Sequence, residues 1–78
     1  MHLCPVCGYD QLPFAPVDYH ICPCCATEFG ADEIDFTSEE LRSKWIRSGM
    51  PWFSTATRQP QNWNPSWQLI RAGFGVAA

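Results

Sequence analysis

Five cysteines carry the clearest chemistry in this 78-residue sequence. Four of them form two C-P-x-C motifs, at residues 4–7 and 22–25, with fourteen residues between the motifs. Two thiolates three positions apart can turn toward one ion, and two such pairs supply four sulfurs at tetrahedral positions about 2.3 Å from zinc. The spacing therefore predicts a metal site whose ligands are Cys4, Cys7, Cys22 and Cys25.

The residues around each cysteine pair favour the turn that such a site needs. Proline after the first cysteine restricts the backbone, and Gly8 after the second tolerates a left-handed conformation that points amides at the sulfurs. Ala26 takes the place of that glycine in the second motif. A left-handed alanine costs about 1–2 kcal/mol, which is small beside the roughly 10–16 kcal/mol of structural zinc. The second motif is expected either to accept this cost or to have a different shape.

Cys24 makes the number of cysteines odd. If Cys22 and Cys25 are ligands, the side chain between them points away from the ion, so Cys24 is predicted to be a free thiol. Two alternatives stay open from the sequence: Cys22 pairs with Cys24 instead, or a C-x-x-C motif is a redox dithiol. Neither motif lies in a βαβ pattern of the kind that accompanies such dithiols.

Two histidines and an acidic segment offer further ligand types. His2 and His20 each lie two residues before a cysteine, but with four well-spaced thiols available both are predicted to be surface or strand residues. The acidic residues lack the D-x-D-x-D-G loop of a calcium site, so they are predicted to form a solvated loop or a recognition face for a basic partner. They are Glu28, Asp32, Glu33 and Asp35.

The identity of the metal is a separate question, because four thiolates suit both zinc and iron. The C-G-Y segment at residues 7–9 and the second C-P-x-C motif resemble rubredoxins. That resemblance implies one-electron transfer at an iron held by the same four cysteines. Zn(2+) is the preferred prediction, since Ala26 departs from the rubredoxin pattern and the second half of the chain has no counterpart in it.

A second resemblance extends over most of the chain, to small uncharacterised bacterial proteins with cysteine-rich C-P-C-C domains. It rests on I-C-P-C-C at 21–25, E-F-G at 28–30 and L-R-S-K-W-I at 41–46. The likeness runs from Cys4 to about Leu69 and implies a zinc-ribbon-like architecture without a known activity. Ala26 and the single Trp52 depart from relatives that have more glycine and paired aromatics.

Composition limits the class of protein. With a net charge of −3, the chain lacks the broad basic face of a phosphate-backbone binder. No apolar run is long enough for a membrane span, and no signal-peptide pattern is present. Unpaired thiols are typical of reducing compartments, so a cytoplasmic protein is expected. No Ser-His-Asp pattern, phosphate-binding loop or H-E-x-x-H motif occurs, and no enzyme activity is predicted.

The cysteine motifs are expected to belong to a small, metal-stapled α+β fold with zinc-ribbon or rubredoxin-like knuckles. Apolar and polar residues alternate at 17–21, which predicts a short strand. Residues 1–3 are expected to pair with this strand as a β-hairpin.

Helix signals occur in the second half of the chain. Thr37 and Glu40 have the spacing of a capping box, in which each side chain accepts from a backbone amide of the first turn. This pair predicts the main helix over about 38–48. Asn64 as the N-cap, followed by proline at the first helical position, predicts a short C-terminal helix over about 65–72.

The length of the chain supports one domain, predicted over residues 1–78. Residues 1–35 are expected to form the metal-binding ribbon, and the helical, tryptophan-rich residues 36–75 to pack on it. Residues 74–78 are predicted to be a disordered tail.

The tryptophan-rich half suggests the role of the protein. It holds all four tryptophans and all five basic residues. Trp45 and at least two of the other three are predicted to be core residues, which leaves exposed Trp and Arg side chains for recognition. The predicted function is a structural zinc-binding protein that serves as a protein–protein interaction module. The alternatives are a rubredoxin-like iron electron carrier and a single-stranded nucleic-acid binder, which the acidic net charge disfavours.

Overall fold

The first cysteine motif folds into a tight turn closed by backbone hydrogen bonds. In this turn, residues 4–9 and here called knuckle 1, the N–H of Cys4 donates to the carbonyl of Tyr9 at 2.8 Å. The N–H of Gly8 donates to the carbonyl of Cys4 at 3.0 Å. Gly8 has φ 82°, so the left-handed conformation predicted for this glycine is present.

The second cysteine motif repeats this turn. In residues 22–27, here called knuckle 2, the N–H of Cys22 donates to the carbonyl of Thr27 at 3.0 Å, and the N–H of Ala26 donates to the carbonyl of Cys22 at 2.9 Å. Ala26 has φ 68° and therefore adopts the left-handed backbone in spite of its Cβ. The second motif therefore accepts the cost of a left-handed alanine and has the same shape as knuckle 1.

Three short helices and long irregular segments make up the rest of residues 1–74, the part of the chain that the computed structural model describes. The helices are α1 (Asp32–Asp35), α2 (Ser38–Arg47) and α3 (Pro65–Arg71). The predicted helices over 38–48 and 65–72 agree with α2 and α3 to within one residue.

The starts of α2 and α3 are capped as the sequence predicts. The hydroxyl of Thr37 accepts from the N–H of Glu40 at 3.1 Å, and the Glu40 carboxylate accepts from the N–H of Thr37 at 2.9 Å. The side chain of Asn64 accepts from the N–H of Trp67 at 3.0 Å. These bonds satisfy amides that a helix leaves without an internal partner.

The acidic segment before α2 differs from the predicted solvated loop, because part of it is helix α1. The carboxylate of Asp32 accepts from the N–H of Glu28 at 2.8 Å, and that of Glu33 accepts from the N–H of Gly30 at 3.3 Å. The carboxylates thus hold the backbone amides at the start of a single helical turn. No residue of α1 is buried.

The predicted β-hairpin between residues 1–3 and 17–21 is wrong, since residues 1–74 contain no β-strand. Asp18 and Tyr19 have φ 59° and 62°, which breaks the extended backbone that a strand requires. The isolated β-bridges join His2 with Leu12 and Ile21 with Glu28. Each bridge lies beside one knuckle, because a tight turn brings its own flanks together over a short loop. The β part of the predicted α+β fold is thereby reduced to two single bridges.

Side chains from both halves of the chain form one core around the cysteines. Its buried members other than cysteine are Val6, Tyr9, Leu12, Phe29, Trp45 and Leu69. Phe74, the first residue of the predicted disordered tail, packs against this core. The rest of that tail lies outside the described residues.

Substitutions at the left-handed positions of the two knuckles are expected to change the free energy of unfolding in opposite directions. Gly8→Ala adds left-handed strain of about 1–2 kcal/mol. It also places a Cβ 2.8 Å from the Cβ of Ala72 and 3.0 Å from the carbonyl of Gln68. We expect this variant to be destabilised by more than about 2 kcal/mol. Ala26→Gly relieves the same strain at knuckle 2, and after the entropic cost of glycine we expect a gain of up to about 1 kcal/mol.

Urea unfolding of the two variants at equal metal content measures this difference. Equal destabilisation by both substitutions would contradict the left-handed strain at knuckle 2.

Candidate metal centre

The structure brings the sulfurs of Cys4, Cys7, Cys22 and Cys25 together in one cluster. All four lie within 4.8 Å of one another. The Sγ atoms of Cys4 and Cys25 are 3.8 Å apart, and those of Cys7 and Cys22 are 3.7 Å apart. Tetrahedral zinc with bonds of about 2.3 Å requires sulfurs about 3.8 Å apart, so these two pairs fit such an ion. The cluster is therefore able to hold a metal ion.

The cluster also connects the two knuckles. Each of the two close sulfur pairs joins one cysteine of knuckle 1 to one of knuckle 2. Cys4, Cys7 and Cys22 have no exposed surface, whereas Cys25 is half-buried. Four sulfurs from opposite turns thus converge in a site that is closed on most sides.

The proximity of the thiols changes their acidity. The pKa of Cys7 is raised, chiefly through its hydrogen bond with Cys22, and that of Cys22 is raised, chiefly by Cys25 and Cys4. The pKa of Cys25 is lowered, chiefly through hydrogen bonding with Cys22, then with Cys4 and Cys7, and with a smaller contribution from Thr27. A cation takes thiolate ligands, so metal binding at this cluster would release the protons that the thiols carry.

Arg42 of α2 docks onto the outer side of knuckle 1. Its Nε donates to the carbonyl of Val6 and its Nη2 to the carbonyl of Pro5, both at 2.7 Å. The guanidinium also lies 3.8 Å from the ring centroid of Phe74. One side chain of the second half thus satisfies two carbonyls that the turn leaves free, and it has Phe74 as a cation–π partner.

The equivalent carbonyls of knuckle 2 are satisfied by backbone amides. The N–H of Ser54 donates to the carbonyl of Pro23 at 2.8 Å, and the N–H of Phe53 donates to the carbonyl of Cys24 at 3.1 Å. Pro23 and Cys24 occupy the positions in knuckle 2 that Pro5 and Val6 occupy in knuckle 1. The second half of the chain therefore contacts both knuckles at the same two positions.

Gln68 of α3 connects the two knuckles a second time. Its Nε2 donates to the carbonyl of Cys7 at 3.0 Å and lies 3.4 Å from the sulfur of Cys24. Its Oε1 accepts from the indole N–H of Trp63 at 2.8 Å. The Gln68 side chain is buried, and each of its polar ends has a protein partner.

Nothing in the sequence singles out Gln68, and Arg42 counts there only as one of the Arg side chains predicted to be available for recognition. Both side chains donate hydrogen bonds to backbone carbonyls. Every residue has such a carbonyl, so the residue types in the sequence do not show which one will be the acceptor. The only signal in the sequence is the proline-containing cysteine motif to which these acceptor carbonyls belong. That signal does not show which distant side chain will reach the motif.

Cys24 lies outside the four-sulfur cluster. It is a free thiol with no exposed surface, in the position that Val6 occupies in knuckle 1. Its side chain therefore packs as a small core residue, and the alternative pairing of Cys22 with Cys24 is not the arrangement that the structure assembles. Both histidines are exposed, and His20 stacks on Phe14 with 4.2 Å between the ring centroids.

Three of the four tryptophans are integrated into the fold. Trp45 is buried and donates its indole N–H to the carbonyl of Pro51 at 2.9 Å. Trp52 and Trp63 are half-buried and meet edge to face, with 5.4 Å between their ring centroids. Trp67 on α3 differs, because 59% of its surface is exposed.

No family model, curated protein or solved structure matches this chain. The resemblances noted above therefore rest on the motif residues alone. No helix within residues 1–74 is long and apolar enough to cross a membrane. The structure supports a cysteine-rich chain with a four-sulfur cluster able to hold a metal ion.

Substitutions of Cys7 and Cys24 distinguish a ligand from a core residue. Cys7→Ser removes one sulfur of the cluster, and we expect it to lose the metal and to unfold. Cys24→Ser keeps the cluster, and we expect it to retain one equivalent of metal while the buried hydroxyl costs about 1–2 kcal/mol.

Metal analysis and chemical denaturation measure both effects. Cys24→Val is the matched control, because valine occupies the equivalent position in knuckle 1. Loss of metal from both Cys24 variants would show that Cys24 is a ligand.

Proposed function

We propose that the protein is a structural zinc protein whose metal site holds a small protein–protein interaction module in shape. The fit of the sulfur separations to tetrahedral zinc carries the first part of this proposal. The second part of the proposal is that the metal site holds the module in shape. The contacts of Arg42 and Gln68 with the knuckles support it, because they tie α2 and α3 to the turns. A bound zinc ion would supply structural cross-linking, held by Cys4, Cys7, Cys22 and Cys25.

Zinc is proposed rather than iron, and a cytoplasmic location follows from the need for reduced thiols. The same sulfur separations would suit a rubredoxin-like iron electron carrier, which remains the second candidate for the metal. The proposal contains no catalytic step, since four thiolates leave no ligand position for water or substrate.

Metal analysis of the protein together with its visible absorption spectrum tests the identity of the metal. We expect a colourless sample with one equivalent of zinc, because zinc has a filled d shell and no visible transitions. Replacement of zinc by cobalt should produce the intense absorption of a tetrahedral thiolate site. A red sample that contains iron would overturn the zinc assignment, and a sample without either metal would overturn the proposed function.

The exposed face of α3 is the proposed recognition surface. Trp67 exposes an indole, and Arg71 lies four residues later on the same face of the helix. Both residues line a groove of about 470 Å³ beside knuckle 1. The lining also includes the acidic Asp10 and otherwise consists mainly of amide and aromatic side chains.

The composition of this groove favours a protein partner over a nucleic acid. Its one acidic and one basic side chain produce no net positive field to attract phosphates. Amide groups can pair with the N–H and C=O groups of a peptide backbone. Exposed Trp and Arg are the residue types enriched at the energetic centre of protein interfaces.

Substitution of Trp67 tests the recognition surface. We expect Trp67→Ala to weaken binding of a partner isolated with the intact protein by tenfold or more, because it removes the largest exposed side chain of the groove. Ile70→Ala is the matched control, since Ile70 is exposed on the same helix but does not line the groove.

Calorimetric titration with the purified partner measures both affinities. Equal affinities of both variants and the intact protein would contradict this surface. Quenching of tryptophan emission by a mixed-sequence oligonucleotide would favour the nucleic-acid alternative.

A further inference from the structure

Access to the four-sulfur cluster is confined to one side. Of the five cysteines, Cys25 alone is not fully buried. It lines a groove of about 500 Å³ between α2 and residues 51–53, here called the α2 groove. None of the other cysteines lines this groove. A small molecule that enters this groove therefore meets Cys25 before any other cysteine of the cluster.

The α2 groove suits a small uncharged reagent. Trp45 and Trp52 form part of its apolar wall, while Asp32 and Lys44 contribute one charge of each sign. The sulfur of Cys25 is held in position by the hydroxyl of Thr27, 3.2 Å away. A groove without net charge neither repels nor concentrates ions, so neutral oxidants and alkylating agents have the freest access.

A second thiol stands next to Cys25, on the other knuckle. The sulfur of Cys4 lies 3.8 Å from that of Cys25, and a disulfide requires about 2.05 Å. Reactive cysteines that are accessible and lie beside a second thiol are typical of redox sensors. The fully buried Cys4 is protected from direct attack, so it would react only after Cys25 has been modified.

Building on the zinc site proposed above, we propose that Cys25 is the redox-reactive ligand of the cluster and that Cys4 is its resolving partner. The co-reactant is a hydroperoxide that enters through the α2 groove. The sulfur of Cys25 attacks one peroxide oxygen, the O–O bond breaks, and Cys25 becomes a sulfenic acid as the other oxygen leaves as hydroxide or alkoxide. The sulfur of Cys4 then attacks the sulfur of Cys25, the S–O bond breaks, and a second hydroxide leaves.

The overall step is balanced as a two-electron oxidation. With hydrogen peroxide, two thiolates, one peroxide and two protons taken from the solvent become one disulfide and two molecules of water. The disulfide between Cys4 and Cys25 removes two of the four sulfurs from the metal site, so the site loses its metal. A dithiol reductant reverses the step, and the recovered thiols bind metal again.

Oxidation of the full chain with one measured equivalent of zinc tests this proposal. Hydrogen peroxide is added in limited amounts, zinc release is followed with a chromogenic chelator, and disulfides are mapped by mass spectrometry of non-reduced peptides. We expect the Cys4–Cys25 disulfide as the first product, zinc release in step with it, and recovery of both after dithiothreitol and zinc are added. Earlier formation of a disulfide through Cys7, Cys22 or Cys24 would overturn the proposal, as would zinc release without cysteine oxidation.

A matched pair of variants tests the route of entry. Lys44 lines the α2 groove and Arg47 does not, although both are exposed basic residues near the end of α2. We expect Lys44→Trp to slow the oxidation of Cys25 and its alkylation by iodoacetamide several-fold, because the indole fills the groove. Arg47→Trp should leave both rates unchanged. Equal rates for the two variants would overturn entry through this groove.

The starting metal content separates the two proposals. A protein that holds no metal before oxidation would overturn the structural zinc site and, with it, this redox role. A zinc-loaded protein whose first modified cysteine is not Cys25 would overturn the redox role alone.

Discussion

The hydrogen bonds to the outer carbonyls of the two knuckles are the interactions on which the rest of the structure depends. A turn that points two sulfurs inward leaves the carbonyls of its second and third residues facing outward, and these groups need donors if they are to be covered. Arg42 supplies the donors at knuckle 1, and the amides of Phe53 and Ser54 supply them at knuckle 2. The tryptophan-rich half is therefore shaped around the cysteine turns and not merely attached to them.

This dependence explains how so short a chain can have a defined structure. Helices of ten and seven residues are too short to be stable alone in water, and fewer than about 80 residues rarely bury a sufficient core. The four-sulfur cluster fixes both turns, and Gln68 joins the carbonyl of one to a side chain of the other. A cross-link at the four-sulfur cluster can thus order segments that are distant in the sequence. Through the same contacts, loss of a bound metal would destabilise the helices.

The sequence was informative where structure follows from local spacing. The cap at Thr37 and the two longer helices depend on residues within a few positions of one another, and these predictions agree with the structure. The repeated spacing of the cysteine motifs also indicated the four residues that the structure brings into one cluster. The predicted hairpin failed because alternation at 17–21 is a weak signal, and Asp18 and Tyr19 adopt left-handed backbone angles that a strand excludes. The roles of Arg42 and Gln68 could not be predicted, since their acceptors are backbone groups more than 30 residues away.

Hydrogen exchange, followed by mass spectrometry before and after removal of the metal with a chelator under reducing conditions, tests this dependence most directly. If the knuckles support the helices, amides of α2 and α3 will lose protection together with those of residues 4–9 and 22–27. The protection should return when zinc is added. Helices that remain protected in the metal-free, reduced protein would contradict the account, because they would show that the second half of the chain holds its structure without the cysteine turns.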